Sequence, residues 1–171
     1  MIRGHQLSKT DASLAAKIGV SEAALYRHFA SKAQMFEGLI DFIEQTVFSL
    51  INQIIEKEAA DAGPATGDRQ ARRIAGMLVQ FAEKNPGMAR VMVGDALVLE
   101  NERLQQRMNQ FFDKIEATLR QCLRDGQGAE GGQAAATPTV DAQVGASLLT
   151  SFLVGRFQRF ARSGYRRLPS E

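Results

Sequence analysis

Apolar residues recur every three or four positions through most of the chain, while the apolar–polar alternation of a half-buried strand is almost absent. In Met35–Glu58, the residues Phe36, Leu39, Ile40, Ile43, Val47, Leu50, Ile51 and Ile54 fall on one helical stripe. Ser31-Lys32-Ala33-Gln34 in front of it is a capping box, which predicts a helix from Ser31 to about Ala60, roughly 45 Å long at 1.5 Å per residue. Gly63-Pro64 ends it. A second helix is expected from about Asp68, with Ile74, Met77, Leu78 and Phe81 inward. It stops at Asn85-Pro86-Gly87, where Asn85 can cap and Pro86 can open a short apolar helix. Leu104, Met108, Phe111, Ile115, Leu119 and Cys122 mark another long helix, expected from Leu97 to a C-terminal cap at Gly126. Residues 126–138 (GQGAEGGQAAATP) read as a flexible loop. A last helix follows from near Val140, with Val144, Leu148, Phe152 and Phe160 recurring. The expected fold class is all-α.

Ahead of the long helix, residues 10–29 read TDASLAAKIGVSEAALYRHF. Leu14, Ala15 and Ile18 face inward on a short helix that stops at Gly19, where a turn needs a residue free to adopt positive φ. Ser21 caps a second helix, and Val20 and Leu25 fill the wedge between the two. This spacing is that of a helix-turn-helix, whose second helix enters the DNA major groove. The expected division is therefore a head over residues 1–32, with its motif at 10–29, and a helical body for dimerisation and partner binding over 33–171. The second helix offers Ser21, Glu22, Ala23, Tyr26, Arg27 and His28 to bases and phosphates, with Thr10 at the start of the motif and Lys32 just beyond it.

Charge supports that division. The formal net charge of +2 conceals five basic groups against two acidic in residues 1–32, eleven against sixteen in 33–155, and five against one in 156–171. Positive charge sits on the head, where nucleic acid would meet it. Asp95, Glu100 and Glu102 read as a solvated helix face. Cys122 is the lone cysteine, which excludes an internal disulfide, and with two histidines in the chain no metal centre is expected. Cys122 lies on an inward stripe with no paired histidine or oxyanion motif, so neither an enzyme nor a cofactor is expected. No apolar run is long enough for a membrane span, and MIRGHQLSKT has no signal-peptide core, so a soluble, cytoplasmic protein is expected.

The stretch Gly19–Lys32, GVSEAALYRHFASK, resembles the head of TetR-type DNA-binding proteins. LYRHFASKAQMFEGLIDFIE, EKNPG and LQQRMNQFFDKIEATLRQCLR extend the likeness, over roughly Thr10 to Arg162, to the nucleoid occlusion branch of that family. The resemblance implies a homodimer on palindromic double-stranded DNA, associated with the nucleoid and open to higher-order assembly there. It also implies a body that captures the C-terminal tail of the tubulin-like protein FtsZ, which inhibits division-ring assembly over the chromosome. In the family that tail lies along the long helix after the head and the helix that follows; the matching positions here are Phe42, Met77, Lys84 and Asn85. Leu50 departs from the pattern, which has a basic residue there. The last helix is expected to pack against its partner's copy through Val144, Leu148, Phe152 and Gly155, with Ala142, Gly145 and Ala146 easing close approach.

The family pattern also has a longer first helix ahead of the motif and a short final helix. Nine residues precede Thr10 here, so most of the first helix is expected to be missing, with a destabilised head and weak DNA binding if the polypeptide is complete. Two other functions fit the same residues. One is a transcriptional repressor released by a small molecule, which calls for polar groups among the aromatics of the body core. The other is a protein-only adaptor with an inactive head.

Overall fold

The computed structural model describes residues 31–61, 63, 65–98, 100–127 and 138–171, and every regular element among them is helical. The helix-turn-helix motif at 10–29 lies outside the described residues, as does 128–137 of the expected loop.

Helix α1 runs Lys32–Ala60 behind Ser31, which sits in the extended region and accepts the Gln34 N–H on its Oγ at 3.2 Å. The first half of the capping box is thus made where the sequence placed it. Phe36, Ile40, Ile43, Val47 and Ile51 are buried along its inner stripe. Helix α2 covers Thr66–Lys84 and starts before the expected Asp68. Thr66 Oγ1 accepts the Gly63 N–H at 2.7 Å, which closes the turn ahead of the helix.

The α1–α2 turn is fastened by Glu58, a carboxylate buried near the end of α1. It takes Arg69 Nε at 2.9 Å and Arg73 Nε at 2.7 Å, while Gln70 Nε2 donates to the Ile55 carbonyl at 3.2 Å. Glu58→Ala is expected to cost about 1–2 kcal/mol, below the roughly 3–5 typical of a broken buried pair. The reason is that Arg69 and Arg73 are 38% and 54% exposed and can turn to water. The urea midpoint checks this, and an unchanged midpoint would contradict it.

Helix α3 spans Pro86–Met92 with Pro86 in its first turn, as expected. Asn85 makes no side-chain cap onto α3; its Nδ2 instead donates back to the Phe81 carbonyl at 2.9 Å and closes α2. Gly94 then takes φ 78°, and Asp95–Leu97 form a 3-10 turn that drives Leu97 fully into the core. Helix α4 therefore begins at Glu102, later than the expected Leu97, with Asn101 Oδ1 accepting the Arg103 N–H at 3.0 Å. It continues to Gln127, so Gly126 is inside the helix and does not cap it.

Helix α5, Pro138–Arg162, begins two residues before Val140, with proline at its first position. It ends in a Schellman motif: the Tyr165 N–H reaches the Phe160 carbonyl at 2.9 Å and the Gly164 N–H reaches Ala161 at 3.2 Å. The accompanying apolar contact is an edge-on meeting of the Tyr165 and Phe160 rings.

Helix α4 packs chiefly on α5 and α2, and α2 in turn on α1. Phe111 of α4 is fully buried and meets Phe48 of α1 and Phe112 edge-on, with centroids 5.7 and 5.2 Å away. On α5 the core face is Ala142, Ala146, Leu153, Phe157 and Phe160. Of the recurring apolar positions expected there, Phe160 alone is buried; Val144, Leu148 and Phe152 point outward.

Candidate functional site

The first candidate surface lies on the neighbouring helices α1 and α2. Phe42 follows Asp41 and precedes the fully buried Ile43, so one helical step carries its ring out of the core to 51% exposure. Leu39, one turn back, is partly buried against the core and underlies the same side of the helix. On α2, Met77 is partly buried against the core and Lys84 is exposed seven residues further along the same side. Asn85 is half-buried with its amide on Phe81. The helices thus present an aromatic ring, a thioether and an ammonium group, chemistry suited to a peptide with apolar and acidic residues. Leu50, two turns beyond Phe42 on α1, is half-buried.

Of the DNA-directed residues, Thr10, Ser21, Glu22, Ala23, Tyr26, Arg27 and His28 lie outside the described residues. Lys32 is described, and its Nζ is 2.6 Å from Glu100 Oε1 and 5.8 Å from the centroid of the Phe36 ring. Glu100 is not part of a solvated face: its side chain is 13% exposed and meets the first residue of α1. Asp95 is exposed but paired with Arg90 at 2.8 Å, and Glu102 is exposed.

The Lys32 pair opens a ladder of charges along the α1–α4 seam. Glu37 meets Arg103 at 3.5 Å, and Arg107 reaches Asp41 at 2.7 Å and Glu44 at 2.9 Å. Burial lowers the Arg107 pKa, but the hydrogen bonds it donates to Asp41 and Glu44, with their negative charges, outweigh it and hold the guanidinium above its ordinary value. The ladder went unread in the sequence, although the four-residue spacing of Glu37 and Asp41, and of Arg103 and Arg107, was there to see.

A second surface is the outward face of α5. Val140, Val144, Leu148 and Phe152 are 52–67% exposed at successive four-residue steps. The Arg156 guanidinium stands over the Phe152 ring, 5.8 Å from its centroid. A Cβ placed on Gly155 would meet nothing within 4 Å, whereas one on Gly145 would meet Leu123 Cδ1 at 3.2 Å. Ala142, Gly145 and Ala146 thus relieve crowding inside the chain, and Gly155 alone of the small residues belongs to the open face.

Among the described residues, few polar side chains are buried in the core. They are Glu58, Gln70 and Thr150, the first two fastened within the α1–α2 turn. A groove of about 390 Å³ opens beside Gly94, between α4 and α5, lined by the core residues Met92 and Met108 together with Gln105, Asn109 and Gln158. Cys122 is buried, and burial pushes its thiol up to about 11, far from a reactive thiolate. Among the described residues no acid, histidine or cysteine group could hold a metal, and no helix is long and apolar enough to cross a membrane.

Comparison with known proteins places both parts of the chain. Residues 10–39 match the tetR family of bacterial regulatory proteins, and residues 69–171 match the tetracyclin repressor-like C-terminal domain of SlmA-like type. The chain is 50% identical over 163 residues to the nucleoid occlusion factor SlmA of Colwellia psychrerythraea, covering 94% of this chain and 76% of the relative. It is 46% identical to the nucleoid occlusion factor SlmA of Shewanella loihica (95% and 77% covered). It is 45% identical to that of Vibrio cholerae (94% and 77% covered).

Proposed function

The chain belongs to the TetR family of DNA-binding regulators, in the branch of the SlmA nucleoid occlusion factors, and from that premise we propose how it exerts nucleoid occlusion. Two copies join through α5 and carry their heads to palindromic sites on the chromosome. The α1–α2 surface then captures the C-terminal tail of FtsZ and holds division-ring assembly off the nucleoid. Binding, without turnover, is the whole of the action.

The observation that carries this reading is the exposure of Phe42 on an otherwise well-packed helix, with Met77 and Lys84 on the helix alongside. A ring left half in water is an anchor for an apolar residue, and Lys84 answers an acidic neighbour. A fluorescent peptide of the FtsZ tail, titrated with and without palindromic DNA, tests it. Saturable binding supports the reading; no binding in either condition sinks it. The ligand-released repressor is not favoured, because the chain is similar to nucleoid occlusion factors over most of its length.

DNA capture has a competitor inside the chain. Glu100 already neutralises Lys32, and its carboxylate both competes with and repels a phosphate brought to the same ammonium. Glu100→Gln is therefore expected to tighten DNA binding about two- to fivefold at low salt and to steepen the log–log salt dependence by about one. Fluorescence anisotropy over a salt series measures both. An unchanged affinity and slope would mean that Lys32 does not reach the phosphates.

A further inference from the structure

We propose that α5 pairs antiparallel with a second copy of itself, with the two-fold axis at the level of residue 150 and Asp141 of each protomer facing the partner's Arg159. This rests on the dimer reading above and specifies its register. The exposed face of α5 carries Asp141, Val144, Leu148, Phe152, Gly155 and Arg159. These positions mirror one another about 150: Leu148 and Phe152 two residues to either side, Val144 and Gly155 six and five, Asp141 and Arg159 nine.

The mirror holds in angle as well as in height. Asp141 and Arg159 are eighteen residues apart, five helical turns, so they stand on one side of the helix. At 1.5 Å per residue each lies about 13.5 Å from the axis, and antiparallel pairing brings opposite charges to the same level. Leu148 then meets the partner's Phe152. Val144 faces the partner's Gly155, whose missing side chain leaves open space for it. A parallel pair would instead set Asp141 against Asp141 and Arg159 against Arg159, which like-charge repulsion disfavours.

Neighbouring groups leave this pairing to Arg159. Arg156 is tied to the tail of the chain, donating to the Pro169 carbonyl at 2.9 Å and the Leu168 carbonyl at 3.1 Å while bracing the Phe152 ring. Asp141 and Arg159 are exposed and make no ion pair among the described residues. Each contact occurs twice in a two-fold interface, so a single substitution acts on both.

The test is charge exchange in the 171-residue chain, read by sedimentation equilibrium at low salt. Asp141→Arg alone and Arg159→Asp alone turn both contacts like-charged, and each is expected to weaken self-association about tenfold or more. An equimolar mixture of the two restores both attractions, because one chain then carries two arginines and the other two aspartates. The mixture and the double variant are expected to associate nearly as tightly as the original chain. That recovery also shows that the single variants fold. Single variants that associate as the original does, or a mixture no tighter than its components, would overturn the register. The variant carrying Leu148→Asp and Phe152→Asp separates the two levels. If it abolishes association while charge exchange does nothing, the α5 interface stands and the register falls. If association survives it, the α5 interface itself fails.

Discussion

Phe42→Ala is expected to weaken capture of the FtsZ tail by about thirtyfold or more while leaving the fold intact. Both halves follow from the position of the ring. At 51% exposure Phe42 has little packing to lose, and substitutions at such sites usually change stability by no more than about 0.5 kcal/mol. In a complex the same ring would be desolvated at the centre of the contact, where truncating an aromatic typically costs about 2 kcal/mol or more. DNA affinity should not move, since Phe42 stands ten residues beyond Lys32, the last of the DNA-directed positions. Lys84→Gln should show a smaller loss that shrinks as salt rises, the signature of an exposed charge. Peptide titration and thermal melting of the same samples provide the measurement. Unaltered tail binding by Phe42→Ala would remove the α1–α2 surface as the docking site; a large drop in melting temperature would instead mean that the ring is structural.

What was legible in the sequence was local. The start of α1 was readable because Ser31 stands three residues before Gln34 and its hydroxyl accepts the Gln34 backbone N–H. The inner stripe was readable because burial on a long helix repeats with the helix itself. The errors came where tertiary context decides. Leu97 belongs to the apolar pattern of α4, yet Gly94 in the left-handed region and a 3-10 turn separate it from that helix. Asn85 is a good cap by type, but its side chain closes the helix behind it and not the one ahead.

On α5 side-chain size misleads. Val144, Leu148 and Phe152 form the bulkier stripe, but close packing on α4 selects Ala142 and Ala146 for the inner face. The result is a helix with apolar residues on two sides, and only the packed structure tells which side is left open. Glu58 and Glu100 were illegible for a related reason. Each looks like one more surface acid until the arginines of α2 or the first lysine of α1 are brought to it. The candidate peptide surface was partly legible, because Phe42 sits next to Ile43 and both cannot face the core.

Phe111→Ala is expected to produce the largest loss of stability of any substitution considered for this chain, about 3–5 kcal/mol. Phe111 is fully buried at the middle of α4, the helix that touches α1, α2 and α5, and it joins Phe48 and Phe112 in two edge-on contacts. Truncation removes the transfer free energy of a benzyl group and leaves a cavity that three surrounding helices cannot collapse to fill. The two aromatic contacts add about 0.5–1.5 kcal/mol each beyond buried area. For a chain of this size such a loss corresponds to roughly 10 °C in melting temperature. Phe111→Leu should recover more than half of it, since it keeps most of the volume. The consequence for function is indirect but measurable: Phe48 holds α1 against α4, so peptide capture should fall only where the protein has begun to unfold. A loss below about 1 kcal/mol would mean that the core relaxes around the site, and that α4 is not the clamp which the packing of Phe111 implies.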